Sequence, residues 1–232
     1  MINPEIFVAL DFSTELDAKK FINNLNPSLC GVKIGKELFT SSGPKIVNYA
    51  IEKDFKVFLD LKYHDIPNTV KKACLAASNL GVYMLNIHSL GGDEMILAAR
   101  EGVDQSKYNP LLIGVTLLTS HNQKTIDSIG FNNKLNDQIK KLALNASKYK
   151  LDGIVCSVND LKFLKPLLPK NFHFITPGIR LNDENKDDQK RIATPSEAKK
   201  LGSTMLVIGR PITSSKNPLE EIERIKSQLD SI

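Results

Sequence analysis

The stretch VFLDLKYHDIPNTV, residues 57–70, opens like a buried strand and then places Asp60, Lys62 and Asp65 within six positions. An unpaired ion in a low-dielectric interior costs several kcal/mol or neutralises itself by a pKa shift. Such a row of charges therefore needs partners. Side chains two apart on a strand point to one side of the sheet, so Asp60 and Lys62 share a side while Leu59 and Leu61 take the other. Lys33, between apolar Val32 and Ile34, reads as an inward residue on the adjacent strand. Alternating charges gathered in one small mouth hold one another ionised. Lys33, Asp60, Lys62 and Asp65 are read as a functional array rather than as a structural salt-bridge network.

A second constellation lies in the last third of the chain. TPGIR (176–180) and IGRPIT (208–213) each join glycine to arginine just after an apolar run. Glycine lets backbone N–H groups approach an anion, and the planar fork of Arg210 matches phosphate oxygens. One Gly-Arg pair says little; two such turns argue for a phosphate grip. The remaining polar residues at the ends of apolar runs are Asp11, His88-Ser89 and Thr119-Ser120. His64 and His88 are expected to be structural hydrogen-bonders, and no H-x-x-x-H spacing supports a metal.

Short apolar runs must position these residues. IFVALD (6–11), CGVKIG (30–35), KVFLDLK (56–62), YMLNIH (83–88), LLIGVTLL (111–118), GIVCS (153–157), HFITPG (173–178) and MLVIGR (205–210) are Val/Ile/Leu-rich, as parallel strands covered on both faces are. Helical patterns lie between them: TELDAKKFINNL with Thr14 as N-cap, SGPKIVNYAIEK with Ser42 and Pro44 near its start, TVKKACLAASNLG ending at Gly81, NDQIKKLALNASKYK and NPLEEIERIKSQL. Eight such alternations predict a single-domain TIM (β/α)8 barrel over residues 1–232, with its chemistry at the C-terminal strand ends. The alternative is a doubly wound open sheet, although no G-x-G-x-x-G follows the first strand. The polar segment RLNDENKDDQKR (180–191) reads as a mobile lid or a disordered insertion.

The 232 residues carry a net charge of +5, with lysine pairs scattered over separate amphipathic segments and no tryptophan. Nucleic-acid binding has little support in that pattern, whereas a small anionic ligand suits it. No apolar run approaches the ~20 residues of a membrane span. MINPEIFVALD lacks a basic n-region, so a cytoplasmic protein is expected. Cys30, Cys74 and Cys156 are far apart in apolar surroundings and read as reduced core residues.

DLKYHDIPNTV resembles the D-x-K-x-x-D-I-P-x-T signature of the orotidine 5′-phosphate decarboxylases. VALD, VKIGKELFTSSGP, GVTLLTS, DGIVCS, TPGIR and IGRPIT also look like that family, in order, over nearly the full chain, and the long DIPNT form resembles its bacterial-type branch. The resemblance implies a homodimer that converts orotidine 5′-monophosphate to uridine 5′-monophosphate and CO₂, with no metal or organic cofactor. It implies that Lys33, Asp60, Lys62 and Asp65 form the catalytic array, that Lys62 donates the proton, and that Asp65 and Thr69 reach the partner's site. Asp11 and Lys33 would bind ribose hydroxyls. Asp60 would sit near the departing carboxylate, Ile66 would join the substrate contacts, and Thr119 and Ser120 would meet the pyrimidine. Arg180, Gln189, Gly209 and Arg210 would hold the phosphate, Gln189 from the 180–191 loop.

Loss of CO₂ from C6 leaves a carbanion-like centre, and the sequence shows no site for an organic electron sink. Lys62 beside C6 would then stabilise the charge and protonate it. Asp60 either repels the substrate carboxylate or orients Lys62 and keeps it charged; both readings stand. Rival functions are a Mg²⁺-dependent sugar-phosphate enzyme of the same scaffold, such as 3-keto-gulonate 6-phosphate decarboxylase or hexulose-phosphate synthase, and a non-catalytic phosphosugar-binding barrel. Lys33 and the I-P-x-T continuation weigh against the first, and the intact array weighs against the second.

Overall fold

The computed structural model describes residues 5–180 and 193–232. Eight strands among them, β1 (Ile6–Ala9), β2 (Gly31–Gly35), β3 (Val57–Tyr63), β4 (Met84–His88), β5 (Leu111–Val115), β6 (Gly153–Val155), β7 (His173–Thr176) and β8 (Met205–Ile208), close in chain order into a parallel barrel. This is the predicted TIM barrel, and β8 pairs back to β1 through Phe7 and Val207. Several strands stop short of their apolar runs. β1 ends before Leu10 and Asp11, and β5 before Thr116–Leu118; of these, Asp11, Leu117 and Leu118 line the mouth, while Leu10 and Thr116 are buried.

Alternation along the strands builds two cores. Phe7, Phe58, Met84, Ile113, Ile175, Met205 and Val207 fill the barrel interior, with Phe7 and Phe58 in edge contact at 6.1 Å. Residues of the other parity, among them Val8, Val32, Ile34, Leu59, Leu85 and Ile154, pack on the helix layer. Each buried aliphatic side chain of this kind contributes about 1.5–3 kcal/mol. Cys30, Cys74 and Cys156 are free and buried as expected, and burial pushes the Cys30 and Cys74 thiols up to about 12.

The helices follow their local signals. Thr14 caps helix Glu15–Ile22 by accepting from the Asp17 N–H, and Gly81 leaves helix Pro67–Asn79 with φ 81°. Ser42 does not start a helix: it ends Lys36–Ser42, and Gly43, at φ 63°, turns the chain into Pro44–Glu52. Helices Pro67–Asn79 and Gly92–Asp104 approach so closely that a Cβ at Gly102 would lie 2.3 Å from the Lys71 carbonyl oxygen. No described helix is long and apolar enough to cross a membrane.

Candidate active site

The C-terminal mouth of the barrel holds a cavity of ≈ 500 Å³. Its wall includes Asp11, Lys33, Asp60, Lys62, Thr119, Arg180, Gly209 and Arg210, with apolar Val115, Leu117, Leu118, Val155, Ile175 and Val207 between them. Four of these side chains are cationic and two anionic, so the cavity is net positive and suited to an anionic ligand. In the eight-membered ring β3 and β7 stand four strands apart, which sets the Asp60–Lys62 pair across the mouth from Arg180.

The charged array forms around Asp60. Its carboxylate, 13% exposed, accepts from Lys62 Nζ at 2.5 Å and stands 3.6 Å from Lys33 Nζ. Lys33 is buried at 8% exposure and reaches Asp11 at 3.1 Å. Inward parity on β2 explains the burial of Lys33, since Val32 and Ile34 face the helices. Burial works to raise the Asp60 carboxyl, but the Lys62 and Lys33 ammonium groups, with hydrogen bonds from Lys62 and Asn86, outweigh it and hold the group below its ordinary value. Asp60 is therefore a carboxylate at neutral pH.

Asp60 and Lys62 do converge, but not through a regular pleat. β3 and β4 pair at Phe58–Met84 and Leu59–Leu85, then resume only at Tyr63–Ile87. Asp60, Leu61 and Lys62 thus oppose Asn86 alone, and Lys62 takes φ 53°, in the left-handed region that non-glycine residues rarely occupy. Strain of this kind costs about 1–3 kcal/mol and persists where surrounding contacts enforce it. The bulge aims the Lys62 side chain back over Asp60.

Asn86 is the member of this cluster that residue patterning missed. It is fully buried; its Nδ2 donates to Asp60 Oδ1 at 2.7 Å and its Oδ1 accepts from the Lys62 backbone N–H at 2.8 Å. The signal was an amide at the centre of MLNIH, at the inward parity of Met84.

His88 stands next to this cluster, its ring centroid 5.5 Å from that of His64. Burial first, then the charges of His64, Lys62 and Lys36, push the His88 imidazole down to about 4, so it is neutral at pH 7. Its Nδ1 is buried without a hydrogen-bond partner among the described residues, so the expected structural hydrogen bond is not made there.

The other predicted site residues divide. Thr119 lines the cavity, whereas Ser120 is exposed outside it. Gly178 and Gly209 bring backbone to the cavity edge, Gly178 with φ 79°. Arg180 also donates to the Ile179 carbonyl oxygen at 3.1 Å. Asp65, Ile66 and Thr69 do not join the array within this chain: they are exposed at the start of helix Pro67–Asn79, Ile66 at 67%. Asp65 there accepts from the Ile66 N–H at 2.7 Å. Gln189 and residues 181–192, most of the predicted lid or insertion, lie outside the described residues.

Comparison with known proteins agrees with this geometry. Residues 4–225 match the model of the orotidine 5′-phosphate decarboxylase / HUMPS family. The orotidine 5′-phosphate decarboxylase of Saccharophagus degradans is 47% identical over 227 residues, covering 98% of this chain and 95% of that one. That of Nitrosomonas europaea is 47% identical over 232 residues, covering 100% of both chains. The crystal structure of the Lactobacillus acidophilus orotidine 5′-phosphate decarboxylase superposes with a TM-score of 0.88 at 33% identity, covering 98% of this chain and 100% of that one. That of Pyrococcus horikoshii shares the fold with a TM-score of 0.78 at 19% identity, over 98% of this chain and all of its own. With the charged strand ends, the closed barrel and matches over almost its whole length, this chain belongs to the orotidine 5′-phosphate decarboxylase / HUMPS family.

Proposed function

We propose that residues 1–232 act as one cytoplasmic domain that decarboxylates orotidine 5′-monophosphate to uridine 5′-monophosphate and CO₂ in the last step of pyrimidine nucleotide synthesis. The observation that carries this reading is the Lys62 ammonium held on Asp60 at the wall of a net-positive cavity that also holds two arginines. Lys62 lies beside C6, stabilises the negative charge that develops as CO₂ leaves, and then protonates the carbon. Asp60 and Lys33 keep that charge preorganised, so the chemistry needs no electron sink. Asp11 and Lys33 take the ribose hydroxyls.

The test is turnover of orotidine 5′-monophosphate, followed by loss of its absorbance, before and after EDTA treatment. Turnover that survives EDTA supports the reading. Activity only on a sugar phosphate, restored by Mg²⁺, would move the chain to the metal-dependent side of the family.

The phosphate is remote from C6, and its binding energy drives closure and desolvation as well as affinity. Arg180, Gly209 and Arg210 supply the grip, joined by Gln189. Arg210→Ala is expected to lower kcat/KM by about tenfold or more, the worth of one charged hydrogen bond. A value within about twofold of wild type removes Arg210 from the phosphate site.

The exposed Asp65, Ile66 and Thr69 support a homodimer in which these residues complete the partner's site. Two inactive chains, Lys62→Ala and Asp65→Ala, then complement each other, because each mixed dimer regains one intact site. Mixing them equally under exchanging conditions should restore about a quarter of wild-type activity. No recovery, with exchange shown by mass, would place each site within one chain.

A further inference from the structure

Asp60, Leu61 and Lys62 bulge out of the β3–β4 ladder, and Asn86 is the single β4 residue opposite all three. The Lys62 N–H therefore has no ladder carbonyl, and a buried N–H without a partner is rare and costly. The Asn86 carboxamide fills that place: its oxygen accepts from the Lys62 N–H at 2.8 Å and its nitrogen donates to Asp60 Oδ1 at 2.7 Å. The orientation follows from the partners, because an N–H needs the oxygen and a carboxylate needs the nitrogen. One side chain thus ties the main chain of the proton donor to the carboxylate that holds its ammonium. Asn86 is 0% exposed, and its register partner on β5 is Ile113, which offers no competing polar group.

We propose that Asn86 is a positioning residue for decarboxylation, clamping the left-handed Lys62 backbone and the Asp60 carboxylate into one rigid unit. The proposal rests on the reading of Lys62 as proton donor. An aspartate could accept from Lys62 but would set a second carboxylate against Asp60; an aliphatic residue would do neither. Asn86 lies behind the cavity wall and a nucleotide need not touch it, so its loss should act on turnover more than on affinity.

Two readouts test this on the full-length protein. The first needs no substrate. In Asn86→Ala, amide hydrogen exchange at Lys62, read by NMR, should speed by about tenfold or more, while Leu85 on the intact ladder stays within about threefold. The second is kinetic: kcat for orotidine 5′-monophosphate should fall roughly 10- to 100-fold, with the Kd for uridine 5′-monophosphate within about threefold. Asn86→Asp preserves shape if the alanine variant does not fold. Asp60 and Lys62 face position 86 from β3, His88 adjoins it on β4, and β5 presents only Ile113. Two adjacent carboxylates share a proton more readily as pH falls, and the protonated one donates as the carboxamide does. The kcat deficit of Asn86→Asp against wild type should therefore shrink on acidification.

Unchanged Lys62 exchange overturns the clamp whatever the kinetics. So does an accelerated Lys62 with kcat within about twofold of wild type, or an Asn86→Asp deficit that is flat with pH. The exchange effect in Asn86→Ala, found with a wild-type chain that shows no turnover, sinks the decarboxylase reading and leaves the clamp supported.

Discussion

Lys62→Ala is expected to cut kcat for orotidine 5′-monophosphate by more than about 10⁴-fold, because in the proposed mechanism it removes both the proton donor and the positive charge facing the developing carbanion. Those two contributions are made by one group, so no other side chain can supply half of the loss. Lys33 is another ammonium at the cavity wall, but it is turned to Asp11 at 3.1 Å and to Asp60 at 3.6 Å. Binding of uridine 5′-monophosphate should change little, since ribose and phosphate contacts remain. The fold should also persist, because Asp60 keeps Lys33 and the Asn86 amide. A rapid-quench assay of product, with circular dichroism to check folding, reads this directly. Turnover within about tenfold of wild type in a folded variant would end the proton-donor assignment.

Asp60→Asn is the second large effect, and it separates the two readings of that carboxylate. It is expected to lower kcat by roughly 10²- to 10³-fold, as removal of a preorganised charge does. If Asp60 acts by repelling the substrate carboxylate, the variant should bind substrate more tightly while reacting more slowly. If Asp60 acts by holding Lys62, substrate affinity should stay near wild type while kcat falls. Comparing Kd for substrate with kcat distinguishes them.

The same variant should be less stable. Removing one partner from a buried ion pair leaves an uncompensated charge and costs about 3–5 kcal/mol, the lower end applying here because Lys62 is 24% exposed and can turn outward. The wild-type stability also carries a pH signature. The folded Asp60 carboxyl lies below its ordinary value of 3.8, so the unfolded chain takes up a proton first as pH falls. Its contribution is complete above that value and is lost as pH drops through the folded one. Asp60→Asn should lack this acid limb in denaturant titrations. An identical acid limb in variant and wild type would assign it to other groups.

Much of the site could be read from residue order. Lys33, Asp60 and Lys62 sit in apolar runs where charge needs an explanation, and their parity placed them inward. The Gly-Arg turns after β7 and β8 stood out because glycine and arginine meet at the ends of strands. The apolar runs were also reliable at their starts, and less so at their C-terminal ends, where the chain leaves the ladder to line the cavity. Asn86 escaped because a single amide in MLNIH carries no charge and no motif; its meaning depends on which strand lies beside it. The left-handed Lys62 escaped for a related reason. A two-residue spacing predicts a shared side of the sheet, but a bulge is set by how two strands align, not by either alone. Asp65, Ile66 and Thr69 show a different gap: they stay exposed and apart from the array within one chain, and only the proposed dimer would give them a task.

Strand and helix identity, the barrel order and the inward parity of the charges were determined by the sequence itself, because apolar periodicity and capping act over a few neighbouring residues. Only the tertiary structure decided how those charges pair. The closure of β1 to β8, the three-against-one bulge at Asn86 and the convergence of Lys33 on Asp60 depend on register between segments more than twenty residues apart. Register follows from packing of the whole interior. A buried carboxylate stays ionised only when that packing sets two ammonium groups and an amide around it, and no local pattern encodes all three distances at once.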